Sequence, residues 1–237
     1  MRTQSWPSIA LLVLAPLVCW AWIVVLSRDM YGPMTGASAW MMTPAWDAPH
    51  LFLLWAMWAV MMTGMMLPSA GPMILLSGGS RAFFVALGYV LAWAAFSVGA
   101  TALQWLLMRH AIVTPMMELS SPVAAGALLG LAGFYQLTPL KHACLATCQA
   151  PMAFLARRWR RGPAGAVRMG VEHGVYCVGC CWALMLLLFA GGVMNLTVIG
   201  ALTAFVAFEK LAPLGAWAAR VSGALLIVLA VVLSVWR

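Results

Sequence analysis

Between Tyr135 and Trp182 the chain gathers five of its six cysteines into two clusters, on either side of an arginine-rich turn. The first arm reads Lys141-His142-Ala143-Cys144-Leu145-Ala146-Thr147-Cys148. The second carries His173, Cys177, Cys180 and Cys181, and Arg157, Arg158, Arg160 and Arg161 lie between the arms. Cys144 and Cys148 are spaced i, i+4 and the second set i, i+4, i+7, i+8, so on helices each set occupies one face. An antiparallel helical hairpin turning at Gly162-Pro163 would set Cys148 opposite Cys177, and Cys144 opposite Cys180 and Cys181. Thiolates with an imidazole in such register suit a soft ion, Cu(I) above all, with Zn(II) or another transition metal as alternatives.

Two other chemistries use the same residues. Cys177 and Cys180 form a C-x-x-C pair that can exchange disulfides with Cys144 or Cys148, although an uninterrupted helix holds such a pair more rigidly than a helix start does. Alternatively the cysteines are inert small hydrophobes of a core. A disulfide framework is the poorest account, because Cys177, Cys180 and Cys181 must share one helix. A buried thiolate needs a neutralising cation; a metal supplies one, and Lys141 is placed to offset residual charge.

The elements that position these residues follow from composition. Of 237 residues, 65% are hydrophobic and only 8% charged, which excludes an ordinary soluble domain. Apolar runs of about 20 residues match a bilayer's hydrocarbon thickness, so the chain reads as a single all-α domain, 1–237. It is a polytopic transmembrane helical bundle of about seven spans, with the cysteine hairpin central. The net charge of +8 sits in the loops between apolar runs, as insertion orientation requires, and gives no support to a nucleic-acid partner. No phosphate-binding loop, hydrolytic triad or zinc-protease helix is present to support ATP-driven transport or hydrolysis.

The expected spans are about 8–27, 50–67, 82–108, 122–157 kinked at Pro139, 166–190, 193–208 and 215–236. The first is too long for a signal-peptide core and lacks a small-residue cleavage site after it. Gly32-Pro33, Pro44 and Pro49 preclude a long helix over 28–49, where Met34, Met41, Met42, Trp40 and Trp46 lie and the tryptophans mark a bilayer surface. Pro68, Gly71 and Pro72 end the second span, and Gly126, Gly130 and Gly133 in the fourth allow close helix approach. Arg2, Arg81, Arg157, Arg158, Arg160, Arg161, Arg168 and Lys210 fall on one side, against Arg28, Arg109 and Arg237 on the other. This bias predicts a cytoplasmic N-terminus in a bacterial inner membrane, with the cysteines roughly 15–20 Å above the arginine turn.

The second span carries Met57, Met61, Met62, Met65 and Met66. Such a stripe is either adaptable packing or a thioether path for Cu(I), in which Met61, Met62, Met65 and Met66 hand the ion to the cysteines. His173, one turn before Cys177, is a ligand or a donor behind one. His142 points away from Cys144, and His50 and His110 sit at helix ends. Glu209 with Lys210 or Arg220 is either a structural ion pair joining the last helices or part of a proton or ion path, and Asn195 is expected to cap a helix.

Several stretches together resemble the DUF2182 family of bacterial integral membrane proteins, described as predicted metal-binding. They are Tyr135-Gln136-Leu137-Thr138-Pro139-Leu140-Lys141 with Cys144 and Cys148, Tyr176-Cys177-Val178-Gly179-Cys180-Cys181-Trp182, Gly191-Gly192-Val193-Met194-Asn195, and Glu209-Lys210-Leu211-Ala212-Pro213. Met61 to Pro68 is similar to a further block of that family, and the likeness runs from about Leu54 to Pro213. One departure is Gln149, where the family pattern often has a basic residue after the second cysteine. The resemblance implies metal binding without choosing the metal. The sequence therefore points to an intramembrane soft-metal protein that stores copper, moves it or delivers it to a protein partner, with a membrane oxidoreductase as the alternative.

Overall fold

The computed structural model describes residues 6–35, 37–41, 46–114 and 117–235. Arg2, Met42, Pro44, Trp236 and Arg237 lie outside the described residues. Among the described residues, twelve α-helices follow in order: α1 (Trp6–Met30), α2 (Ala37–Met41), α3 (Ala48–Met66), α4 (Gly71–Ser77), α5 (Arg81–Arg109), α6 (Pro122–Gln136), α7 (Pro139–Gln149), α8 (Pro151–Arg158), α9 (Gly162–Leu186), α10 (Leu188–Gly191), α11 (Leu196–Leu211) and α12 (Gly215–Val235). A 3₁₀ turn, Pro68–Ala70, joins α3 to α4.

Helix boundaries follow the local chemistry. Asp47 accepts from the His50 backbone N–H to start α3, and Asn195 accepts from the N–H groups of Thr197 and Val198 to start α11. Thr138 caps α7 through the Lys141 N–H, with Pro139 in its first turn. Among the described residues, α1, α3, α5, α9 continued into α10, and α12 are long and apolar enough to cross a membrane. The pair α6 and α7, bent by 64° at Pro139, makes a sixth candidate as a broken or re-entrant span. The sixth expected segment, 193–208, is α11, whose 16 residues fall short of the roughly 20 that a full crossing asks for. The fourth expected segment is three helices rather than one kinked helix, because Pro151 breaks the chain again after Gln149.

Small residues set the packing. Gly88 and Gly170 let α5 and α9 touch backbone to backbone, each lying against the other helix's carbonyls. Gly133 lies against the Gly223 carbonyl of α12, while Gly126 meets Ser234, so the small-residue pattern of α6 is the α6/α12 contact. Helices α1 and α12 keep most of their apolar side chains exposed, as lipid-facing elements do. The interior is formed by α3, α5 and α9, and it contains the methionines of α3 and the cysteines of α9.

Candidate metal centre

On α9 the residues His173, Cys177, Cys180 and Cys181 are all buried. The Sγ atoms of Cys177, Cys180 and Cys181 lie within 4.8 Å of one another, with Cys180 and Cys181 at 3.2 Å. Cys148 on α7 brings a fourth sulfur, 4.0 Å from Cys180 Sγ. It is only half-buried, as is Cys144. Cys144 packs on Gly179, where an added Cβ would come within 2.9 Å of its Sγ.

The register thus differs from that of a continuous hairpin. Cys148 meets Cys180 rather than Cys177, and Cys144 meets Gly179 rather than Cys180 and Cys181. The turn at Gly162-Pro163 does not set the level, because Ala150-Pro151 redirects the chain into α8 before that turn is reached. The α7/α9 pairing is fixed instead by the neighbouring anchors: Tyr135 donates to the Gly179 carbonyl, and its ring stands edge-on to Trp182 at 4.9 Å between centroids.

Lys210 is the residue that sequence reasoning placed wrongly. Its buried ammonium donates to Cys177 Sγ at 2.7 Å and to Ser69 Oγ at 3.1 Å, and it lies 3.9 Å from Met66 Sδ. Glu209 pairs with Lys141 at 2.7 Å, both side chains fully buried, and not with Lys210 or Arg220. Gln136 also donates to Glu209, at 2.8 Å, and to Ser222. Adjacent helical residues point about 100° apart, so Glu209 turns toward α7 while Lys210 turns toward α3 and α9. The ammonium bonded to a cysteine is therefore that of Lys210, and the Lys141 charge is taken by Glu209. The signal was present in sequence: two opposite charges in one apolar helix need two separate partners.

Tyr89 was not foreseen at all. Its hydroxyl lies 2.9 Å from Cys177 Sγ and donates to the Met66 carbonyl at 3.0 Å, tying α5 to α3 and α9. His173 lies one turn before Cys177, outside the three-sulfur group, between the rings of Phe154 and Tyr89 at 5.2 and 6.0 Å. Its Nδ1 is buried without a hydrogen-bond partner. His173, Cys148, Lys210 and Ser69 line a cavity of about 190 Å³, with Gln149 and Met73 beside them. Gln149 itself donates to the Glu209 carbonyl at 2.7 Å, so the positive charge near Cys148 is that of Lys210 across this cavity. On α3, Met61, Met62, Met65 and Met66 are all buried. Met66 is adjacent to Lys210, and Met61 stands about 7.5 Å further along the helix axis.

The donor set suits a soft metal ion. A metal–thiolate bond of about 2.3 Å puts two sulfurs on one ion roughly 3.8–4.6 Å apart, the scale of the three α9 thiols and of the Cys148–Cys180 pair. The 3.2 Å contact of Cys180 with Cys181 would widen by about 0.6 Å for both to bind one ion. Three thiolates around Cu(I) carry two negative charges, which a buried site tolerates only with a cation close by. Lys210 is that cation, free of Glu209. Zn(II) asks for four ligands, which the three α9 thiols together with Cys148 could also supply.

A family described as PpoB2, copper chaperone, matches residues 55–233 of the chain. No curated protein and no solved structure matches it.

Proposed function

The chain belongs to that copper chaperone family, the one also called DUF2182, and on this premise we propose that it holds one Cu(I) on Cys177, Cys180 and Cys181 and exchanges it through Cys148. The observation that carries the reading is the group of three buried thiols with an ammonium bonded to one of them. Copper is cargo here rather than a resident cofactor. Cu(I) moves between sulfurs by associative exchange, the incoming sulfur binding before the outgoing one leaves, and no electron is transferred. Cys148 is suited to that step, because it touches Cys180 inside and the cavity outside.

Met61, Met62, Met65 and Met66 form a thioether path along α3 toward the cysteines, weaker ligands from which the ion passes to stronger ones. His173 acts behind Cys177 rather than as a first ligand. Lys210 and Ser69, which line the cavity, bound the route by which an acceptor thiol or thioether of a partner protein takes the ion from Cys148. The membrane is the bacterial inner membrane, with the arginine-rich end of the bundle on the cytoplasmic side. Cys177 lies about 22 Å along the helical run from Gly162 to Gly191, deep enough to keep bulk water from stripping the ion.

The test is to purify the full chain anaerobically in detergent, load it with Cu(I), count metal and free thiols, and follow release to a copper chelator. One copper per chain is expected. Cys148→Ser should retain the ion but slow release at least about tenfold, a barrier change of about 1.4 kcal/mol. Cys180→Ser should lose the ion. Metal-free protein with an even number of oxidised thiols would overturn the reading in favour of the thiol oxidoreductase.

A further inference from the structure

Beside the exit past Cys148 the surface holds a second concavity, of about 360 Å³, against α8. Arg157 and Arg158 of α8 form its charged wall, and Thr147 of α7 and Tyr176 of α9 lie across from them. Both arginines are exposed, so a ligand entering the concavity reaches their guanidinium groups.

Insertion orientation explains why arginines gather at this end of the bundle. It does not explain why two of them line one concavity, and their charge is not met from within the chain. Of the five carboxylates, Asp29, Asp47 and Glu118 lie at the other end of the bundle, where α1 closes and α3 starts. Glu209 is buried on Lys141. Glu172 alone remains, and it is held by Arg160 at 3.0 Å and Arg168 at 3.2 Å, with Arg158 more distant at 3.8 Å. Arg157 has no ion pair among the described residues. The wall of the concavity is thus a positive charge left open to solvent.

The same helix joins this concavity to the copper site. Pro151, which starts α8, lines the cavity that contains Cys148 and Lys210, and Arg157 lies about 9 Å further along the helix. Phe154 separates the two spaces. Its ring packs on His173 of the copper cavity at 5.2 Å and on Tyr176 of the charged concavity at 6.3 Å. An extended chain covers about 10 Å in three residues. A bound segment with its copper-binding side chain at Cys148 therefore sets a side chain three positions away at Arg157.

We propose that the protein exchanging copper at Cys148 presents an acidic segment whose carboxylates dock on Arg157 and Arg158. The proposal rests on the copper reading for its purpose and on the charged concavity for its place. Docking there brings the partner's donor atom to Cys148 without contact with the buried thiols, and complementary charge raises the encounter rate. A neutral or basic partner gains neither. An anionic lipid headgroup meets the same arginines but brings no copper ligand to Cys148.

The test loads the full chain with Cu(I) in non-ionic detergent and follows transfer, at low salt, to synthetic peptides. All share one Cys-Gly-Gly-Cys core and carry, three residues beyond it, two glutamates, two glutamines or two lysines. The glutamate peptide is expected to take copper at least about tenfold faster than the glutamine peptide. That advantage should fade toward about 1 M salt, where the screening length falls to about 3 Å. Arg157→Gln with Arg158→Gln should abolish it at unchanged copper content, since Glu172 keeps Arg160 and Arg168. Arg157→Glu with Arg158→Glu should pass the advantage to the lysine peptide. Arg161→Gln, exposed and outside the concavity, should leave it intact. Equal rates for the three peptides, or an advantage that survives the double glutamine variant, would overturn the docking and leave the copper reading standing. Loss of the advantage in phosphatidylglycerol nanodiscs would assign the arginines to lipid and overturn it too. The same peptides with serine for cysteine are titrated onto copper-free protein by fluorescence anisotropy, which decides the docking even if the chain binds no copper. A preference for the glutamate peptide that the double glutamine variant loses upholds it, and no preference overturns it.

Discussion

Lys210→Met isolates the electrostatic half of the proposed copper site. Methionine keeps the length and apolar body of the lysine and removes the ammonium that donates to Cys177 Sγ at 2.7 Å; because it also adds a thioether, Lys210→Leu is measured beside it. At an effective dielectric of about 20, two unit charges at that distance interact by about 6 kcal/mol. Copper's own positive charge and local relaxation offset much of this, but a remaining quarter, about 1.5 kcal/mol, is still more than tenfold in affinity. The fold should tolerate the change, because Glu209 keeps Lys141 and no carboxylate is orphaned. The assay is an anaerobic competition titration of Cu(I) against a chelator of known affinity, with thermal unfolding run in parallel. At least a tenfold loss of affinity is expected, and because the pair is buried, raising the salt concentration should not close the gap. Wild-type affinity in folded Lys210→Met and Lys210→Leu proteins with all thiols free would refute the reasoning, since Cys177 would then not carry copper-bound charge beside that ammonium.

Four further substitutions separate support from chemistry. Lys141→Met leaves Glu209 buried and unpaired and should destabilise the protein by about 3–5 kcal/mol. Adding Glu209→Gln should restore most of that, because Gln136 remains to bond the amide; a double variant no more stable than the single one in thermal unfolding would contradict the pairing. Gly170→Ala forces a methyl into the α5 backbone at Val85 and Tyr89, whereas Gly99→Ala meets open space. The first should therefore lower the unfolding temperature clearly, and the second should leave it unchanged or slightly raised.

Much of this organisation is legible from residue spacing. Apolar runs marked the long helices, Asn195 and Pro139 announced a cap and a bend, and the i, i+4, i+7, i+8 spacing put Cys177, Cys180 and Cys181 on one face. The glycines at 126 and 133 marked a helix contact, although only the fold shows that α12 is the partner. What failed were inferences that assumed a straight path between two points. The cysteine hairpin was levelled from its turn, but Pro151 intervenes, so the register is set by side-chain anchors such as Tyr135 on Gly179 that spacing cannot reveal. Glu209 and Lys210 look like a pair because they are neighbours in sequence, yet neighbours on a helix diverge. Tyr89 was invisible because a tyrosine in an apolar helix has no periodic signature; only tertiary packing brings its hydroxyl to Cys177.

The central claim is that one Cu(I) rests on the three cysteine sulfurs of α9. X-ray absorption spectroscopy of the Cu(I)-loaded full chain tests it most directly. The account predicts a first shell of sulfur alone at about 2.2–2.3 Å, lost in Cys177→Ser, Cys180→Ser and Cys181→Ser, and retained in Cys144→Ser. A first shell dominated by nitrogen or oxygen, or one unchanged by those three substitutions, would contradict it.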